Sequence, residues 1–178
     1  MITVDELEAA RPDLEDLLTE VLTSVFGEQA HPVDDELPDG DQASARLAVA
    51  DQADGGHLGV RVRTGAVLSR LLASRMFSAG DPGPDDLLDA VGELGNIAAG
   101  NVKSLFFASA RLSLPDPALG ASHAGTAGAG APEGSTTVRA AVLGQVVELA
   151  LTPGAPPDGL TWPPPTSDDT HDELETLS

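Results

Sequence analysis

Apolar residues recur at helical spacing from Leu14: Leu14, Leu17, Leu18, Val21, Leu22 and Phe26 share one face. The helical region begins after Thr3, with Glu6 three residues on, a spacing that lets each residue cap the other's backbone. Pro12 interrupts or restarts it. The polar stretch "GEQAHPVDDELPDGDQ" reads as a connection. The period then changes to two. "ASARLAVADQ" and "HLGVRVRT", joined by the turn "ADGG", form a strand pair in which Val60 and Val62 alternate with Arg61 and Arg63. A shorter amphipathic helix, "GAVLSRLLASRMF", follows. The breaker "SAGDPGP" then leads to Pro84, suited to the first turn of the next helix.

That next helix, "DDLLDAVGELGNIAAGNVKSLF" (85–106), carries Gly92, Gly95 and Gly100 in its interior. Each costs about 1 kcal/mol relative to Ala, roughly 3 kcal/mol together, so something must offset them. At about 100° per residue, Leu87, Val91, Leu94, Ala98, Val102 and Leu105 form an apolar stripe that should pack on a sheet. Asp89, Glu93, Asn96, Gly100 and Lys103 fall opposite. Gly92, Gly95 and Ala99 flank the polar stripe and would leave the backbone bare beside Glu93 and Asn96. Two accounts fit such bareness: close approach of a partner, or packing of another internal helix against this side.

Further on, "ARLSLPDPALGASH" is one extended segment broken by its prolines, and "GTAGAGAPEGS" has linker composition. "TTVRAAVLGQVVELALT" gives two strands around Gly144. The expected organisation is a domain over residues 1–152 and a disordered Pro-rich, acidic tail over 153–178. Trp162, the only tryptophan, falls in that tail, as a stray aromatic or a docking element.

Composition narrows the chemistry. With no cysteine, disulfides, thiol catalysis and thiolate metal sites are excluded. A net charge of −20, with Lys103 the only lysine, argues against nucleic acid, whose phosphates need basic contacts. Such charge serves solubility or favours a partner with a basic surface. No apolar run approaches a membrane span and the acidic N-terminus is unlike a secretory signal, so a cytoplasmic protein is expected. His31, His57, His123 and His171 lack ligand spacing, and no metal site is expected. "DELPDGDQASAR" has Leu37 and Arg46 where a calcium loop needs oxygen ligands. "GTAGAGAPEG" lacks the strand and helix of a phosphate loop.

"DAVGELGNIAAGNVKSLF" resembles the signature helix of the CheC/CheX/FliY family of response-regulator phosphatases. Asp89, Glu93 and Asn96 meet its acid-xxx-Glu-xx-Asn pattern, and Gly100, Asn101 and Lys103 are similar to residues of the CheX branch. "ARLSLPDPALG" resembles that branch's "LSLP…G" segment, and the strand pair has the family's look. The resemblance covers most of residues 1–152 and is most specific over 85–115. It implies an α+β fold, an antiparallel β-sheet with long amphipathic helices packed on it, in two pseudo-symmetric halves. Asp16-xxx-Glu20-xx-Thr23 repeats the signature spacing in the first helix but offers Thr23 where Asn is needed. One working site is expected, nearest the CheX branch, along with a homodimer through sheet edges.

The resemblance also implies an activity: hydrolysis of the phosphoaspartate of a phosphorylated CheY-like receiver domain, in chemotaxis or two-component signalling. Asn96 would hold the attacking water in line, and Glu93 would pair with the receiver's active-site lysine. Asp89 and Lys103 would flank the contact, and Gly92, Gly95 and Gly100 would permit close docking. Mg²⁺ would come with the receiver. The alternative is a non-catalytic adaptor that binds a receiver, or a flagellar or chemotaxis component, through the same helix face.

Overall fold

The computed structural model describes residues 2–38, 40–53, 55–78, 80–120, 134–154 and 158–164. Helices α1 (Val4–Ala9) and α2 (Arg11–Phe26) open the chain, followed by strands β1 (His31–Pro32), β2 (Gln42–Asp51) and β3 (His57–Gly65). Helices α3 (Ala66–Phe77) and α4 (Pro84–Phe106) come next, then β4 (Ala110–Leu112), β5 (Asp116–Leu119), β6 (Thr136–Val142) and β7 (Gln145–Pro153). The Thr3–Glu6 capping box forms as expected, and Pro12 lies in the first turn of α2 after a break at Ala10. The polar connection yields one element the sequence did not announce, the two-residue β1. Residues 125–133 of the linker, His123 and His171 lie outside the described residues.

All strand pairs are antiparallel, in the order β1-β6-β7-β3-β2-β4, with β5 also on β2. The order contains the two halves. Hairpin β2–β3 belongs to the first half and β6–β7 to the second, and β3 and β7 meet at the centre. Each half sends the strand after its long helix to the other half's hairpin: β1 to β6, and β4 and β5 to β2. The long helices cross over in the same sense, α2 packing on β6 and α4 on β2. Leu143 and Gly144 turn β6 into β7 with φ of 54° and 71°, the doubly positive pair of a two-residue hairpin whose twist suits the strands.

Alternation divides the sheet's faces. Ala43, Ala45, Leu47 and Val49 of β2, Leu58, Val60 and Val62 of β3, and Val147, Leu149 and Leu151 of β7 join the buried faces of all four helices in one core. The other face carries Arg46, Arg61, Arg63, Arg139 and Glu148. Glu148 is 3% exposed and accepts hydrogen bonds of 3.0 Å from both Arg63 and Arg139. Arg61 lies 3.9 Å from it. Burial first, and then Arg63, lowers the Arg61 pKa from the ordinary arginine range, while Glu148 opposes the shift.

The expected tail needs correction at residues 158–164. Leu114 N–H donates to Thr161 O at 2.7 Å, and the Arg111 guanidinium donates to Pro163 O at 2.5 Å. Trp162, half-buried, stands edge-on to His57 with ring centroids 6.3 Å apart. Proline fixes φ and lowers the entropy lost on ordering, so a Pro-rich segment can be held by two hydrogen bonds and one aromatic contact. His57 is half-buried there.

Candidate functional site

Helix α4 positions the site. Pro84 opens its first turn, and Gly83 N–H donates to the Asp86 carboxylate at 2.8 Å, half of a capping box, since glycine has no side chain to return the bond. Its buried face consists of Ala90, Val91, Gly92, Leu94, Gly95, Ala98, Ala99 and Val102. These are mostly small residues, so the helix backbone lies close to β2. Leu105, expected in the apolar stripe, is 42% exposed, because the stripe drifts off the sheet in the last turn.

The opposite face is as the periodicity predicts. Asp89, Glu93 and Asn96 are exposed, and Gly100 and Lys103 are half-exposed. Asp89 and Glu93 are one turn apart. Asn96 stands about 4.5 Å further along the axis than Glu93 and about 60° around it. None of Asp89, Glu93, Asn96 or Lys103 makes a side-chain hydrogen bond or ion pair with a described residue. Asn101 and Ser104, by contrast, turn back onto the carbonyls of Ile97 and Gly100. An ionised carboxylate and an amide, side by side and uncommitted, can grip a cation and orient a water.

The first helix treats its matching position differently. Thr23 is half-buried, and its hydroxyl accepts from Ala30 N–H at 3.1 Å, which ties the end of α2 to β1. That hydroxyl is committed within the chain, unlike the Asn96 amide.

The glycines divide, and the sequence expectation for Gly95 is corrected. Gly95 is buried against the sheet: a β-carbon there would stand 2.9 Å from both Ala45 Cβ and Leu47 Cδ1. Its bareness serves helix-on-sheet packing and not the docking of a partner. Gly92 is also buried, and a β-carbon there would make ordinary 3.7 Å contacts with Pro115. Only Gly100 has open space beyond its Cα, with nothing within 4 Å. Sequence alone could not tell these apart, since all three lie beside the polar stripe.

One feature escaped the sequence reading. Beside Glu93 is an open groove of about 570 Å³. Met76 and Phe77 from the end of α3 form one wall, and Pro115 and Pro117 form another. Leu88, Asp89, Gly92 and Glu93 complete it from α4. The apolar residues at the end of α3 were its only trace in the sequence.

Long helices lying on one antiparallel sheet built of two halves are the fold of the solved CheX proteins. Residues 44–136 match the family described as chemotaxis phosphatase CheX, and the chain belongs to that family. No curated protein matches the chain in sequence. Among solved structures, the chemotaxis protein CheX from Desulfovibrio desulfuricans superposes with a TM-score of 0.61 at 16% identity. That match covers 82% of this chain and 99% of the other. A CheX–CheY–BeF3–Mg complex from Borrelia burgdorferi matches at 0.55 and 14% identity, covering 81% and 97%. CheX from Vibrio vulnificus matches at 0.56 and 14%, covering 79% and 95%. These likenesses show the fold.

Proposed function

We propose that the chain is a phosphatase that hydrolyses the phosphoaspartate of a phosphorylated CheY-like receiver domain. The observation that carries this reading is the exposed, uncommitted Glu93–Asn96 pair on a helix braced by the sheet. Membership of the CheX family and the CheY found with the Borrelia relative support the choice of partner. Glu93 pairs with a receiver lysine in the ground-state complex. Asn96, with a donor and an acceptor in one amide, holds a water in line with the phosphorus. The water supplies the oxygen that attacks phosphorus, the P–O bond to the aspartyl carboxylate breaks, and inorganic phosphate leaves with the carboxylate restored. A strong base is not required, because phosphoryl transfer depends on alignment and charge stabilisation. Asp89 and Lys103 flank the contact.

Among the described residues no three His, Asp or Glu side chains group as a metal site, and Mg²⁺ is assigned in this proposal to the receiver. The proposal includes a homodimer through sheet edges, which lie at β1 on one side and at β4 and β5 on the other.

The test is phosphate release from a panel of phosphorylated receivers of the source organism. Asn96→Ala should lower turnover on the order of a hundredfold, about 3 kcal/mol, with little change in binding to a receiver carrying a stable phosphate mimic. If Asn96→Ala hydrolyses as the wild type does, the catalytic assignment is wrong. A wild type that binds receivers without hydrolysing them is an adaptor.

A further inference from the structure

The groove beside Glu93 has a composition unlike the rest of the helix face. Met76, Phe77, Leu88, Pro115 and Pro117 give it apolar walls, and the charged groups lining it, Asp89 and Glu93, are both acidic. Phe77, the last residue of α3, is 46% exposed and presents its ring to the groove together with Met76 and the two prolines. The groove falls within the size range of sites that enclose a side chain or small ligand. It is continuous with the proposed reaction face, because Glu93 belongs to both.

We infer that this groove is the specificity subsite of the phosphatase face and receives an apolar side chain of the receiver that stands beside a lysine or arginine. The inference rests on the proposed function for the partner's identity, and on the groove's own lining for the chemistry recognised. An apolar side chain buries against Phe77, Met76 and the two prolines, while the neighbouring cation, distinct from the lysine assigned to Glu93, lies against Asp89. An acidic residue at that place in a receiver meets two carboxylates and is rejected, so the groove selects among receivers that share the same phosphorylation chemistry. A single cation without the apolar neighbour leaves Phe77 uncovered and binds less well.

The experiment uses the full chain and receiver domains of the source organism loaded with beryllofluoride and Mg²⁺. Affinity is measured for wild type, Phe77→Ser, Phe77→Leu and Asp89→Asn, alongside steady-state hydrolysis of the phosphorylated receivers. Phe77→Ser should weaken binding and raise KM about tenfold, while turnover at saturation changes less than about twofold. Phe77→Leu should stay close to wild type, and Asp89→Asn should weaken binding and flatten its salt dependence. Asp89 is exposed and offers an independent variant should Phe77→Ser not fold. If folded Phe77→Ser and Asp89→Asn both bind as wild type, the subsite is overturned, and wild-type hydrolysis keeps the phosphatase reading intact. If the wild type binds without hydrolysis and Phe77→Ser weakens that binding, the subsite stands and the phosphatase reading falls. Failure of the wild type to bind any receiver overturns both.

Discussion

Gly95 lies so close to Ala45 that a β-carbon on the helix would stand 2.9 Å from the one on the strand. Ala45 Cβ is fixed to the sheet backbone and cannot turn away, whereas Leu47 Cδ1, at the same distance, has rotamers to use. The glycine's helix-propensity cost is thus the condition for seating α4 on β2, and with it Glu93 and Asn96.

Gly95→Ala should therefore destabilise the protein, by about 1 to 3 kcal/mol of overpacking, although Ala is the better helix former. Gly100→Ala should do the opposite and raise stability by up to about 1 kcal/mol, because open space surrounds it. Chemical denaturation of the two variants checks this. Stability unchanged or raised in Gly95→Ala would refute the packing role.

Glu93 and Asn96 should separate kinetically. Glu93→Ala should weaken receiver binding and remove much of its salt dependence, since its contact is an ion pair made before reaction. Titration of a beryllofluoride-loaded receiver at low and high salt is the measurement. Salt dependence as steep in the variant as in wild type would place the contact elsewhere.

Glu148 holds Arg63 and Arg139 together on the face away from the helices, with side-chain exposures of 4% and 9% for the Glu148–Arg63 pair. Glu148→Ala should cost on the order of 3 kcal/mol, because it leaves guanidinium charge in a region with little water. Arg139→Ala should cost less, since its side chain is 26% exposed. Equal losses in thermal unfolding would contradict this ordering.

Trp162 and its neighbours should contribute to the fold. Truncation after Gly154 removes the Leu114 and Arg111 hydrogen bonds and uncovers His57, and should lower the melting temperature measurably. Trp162→Ala alone should cost about 1 to 2 kcal/mol, the value of a half-buried aromatic. A truncated chain that melts as the full chain does would show that the contact contributes nothing.

Glu8 gives an acid-side signature. Hydrogen bonds from Arg11 first and Thr136 second hold its carboxyl below the usual range. A depressed folded-state pKa means stability present above the unfolded value of about 4.3 and lost as pH falls through the lower folded one. Glu8→Gln should flatten the acid limb of the stability profile below about pH 4, modestly because the pair is partly exposed. An unchanged acid limb would remove Glu8 from the account.

Most elements were legible in the chain because they rest on local rules. The Thr3–Glu6 box, Pro84, the alternation of Val60 and Val62 with arginines, and the turn at Gly144 each act within a few residues. The exposure of Asp89, Glu93 and Asn96 followed from the helical period alone, since a helix packed on a sheet must turn its polar stripe outward. What the sequence could not decide depends on residues far apart in it. Whether Gly95 faces a partner or a strand depends on Ala45, fifty positions earlier. The apolar groove exists because the end of α3 and the prolines of the β4–β5 segment flank the same turn of α4. Trp162 is anchored by His57 and by a chain segment held to Leu114 and Arg111, and composition registers only that the region is rich in proline. Local spacing sets the period and the caps; close contact between distant segments sets which small residues are required and which side chains are covered.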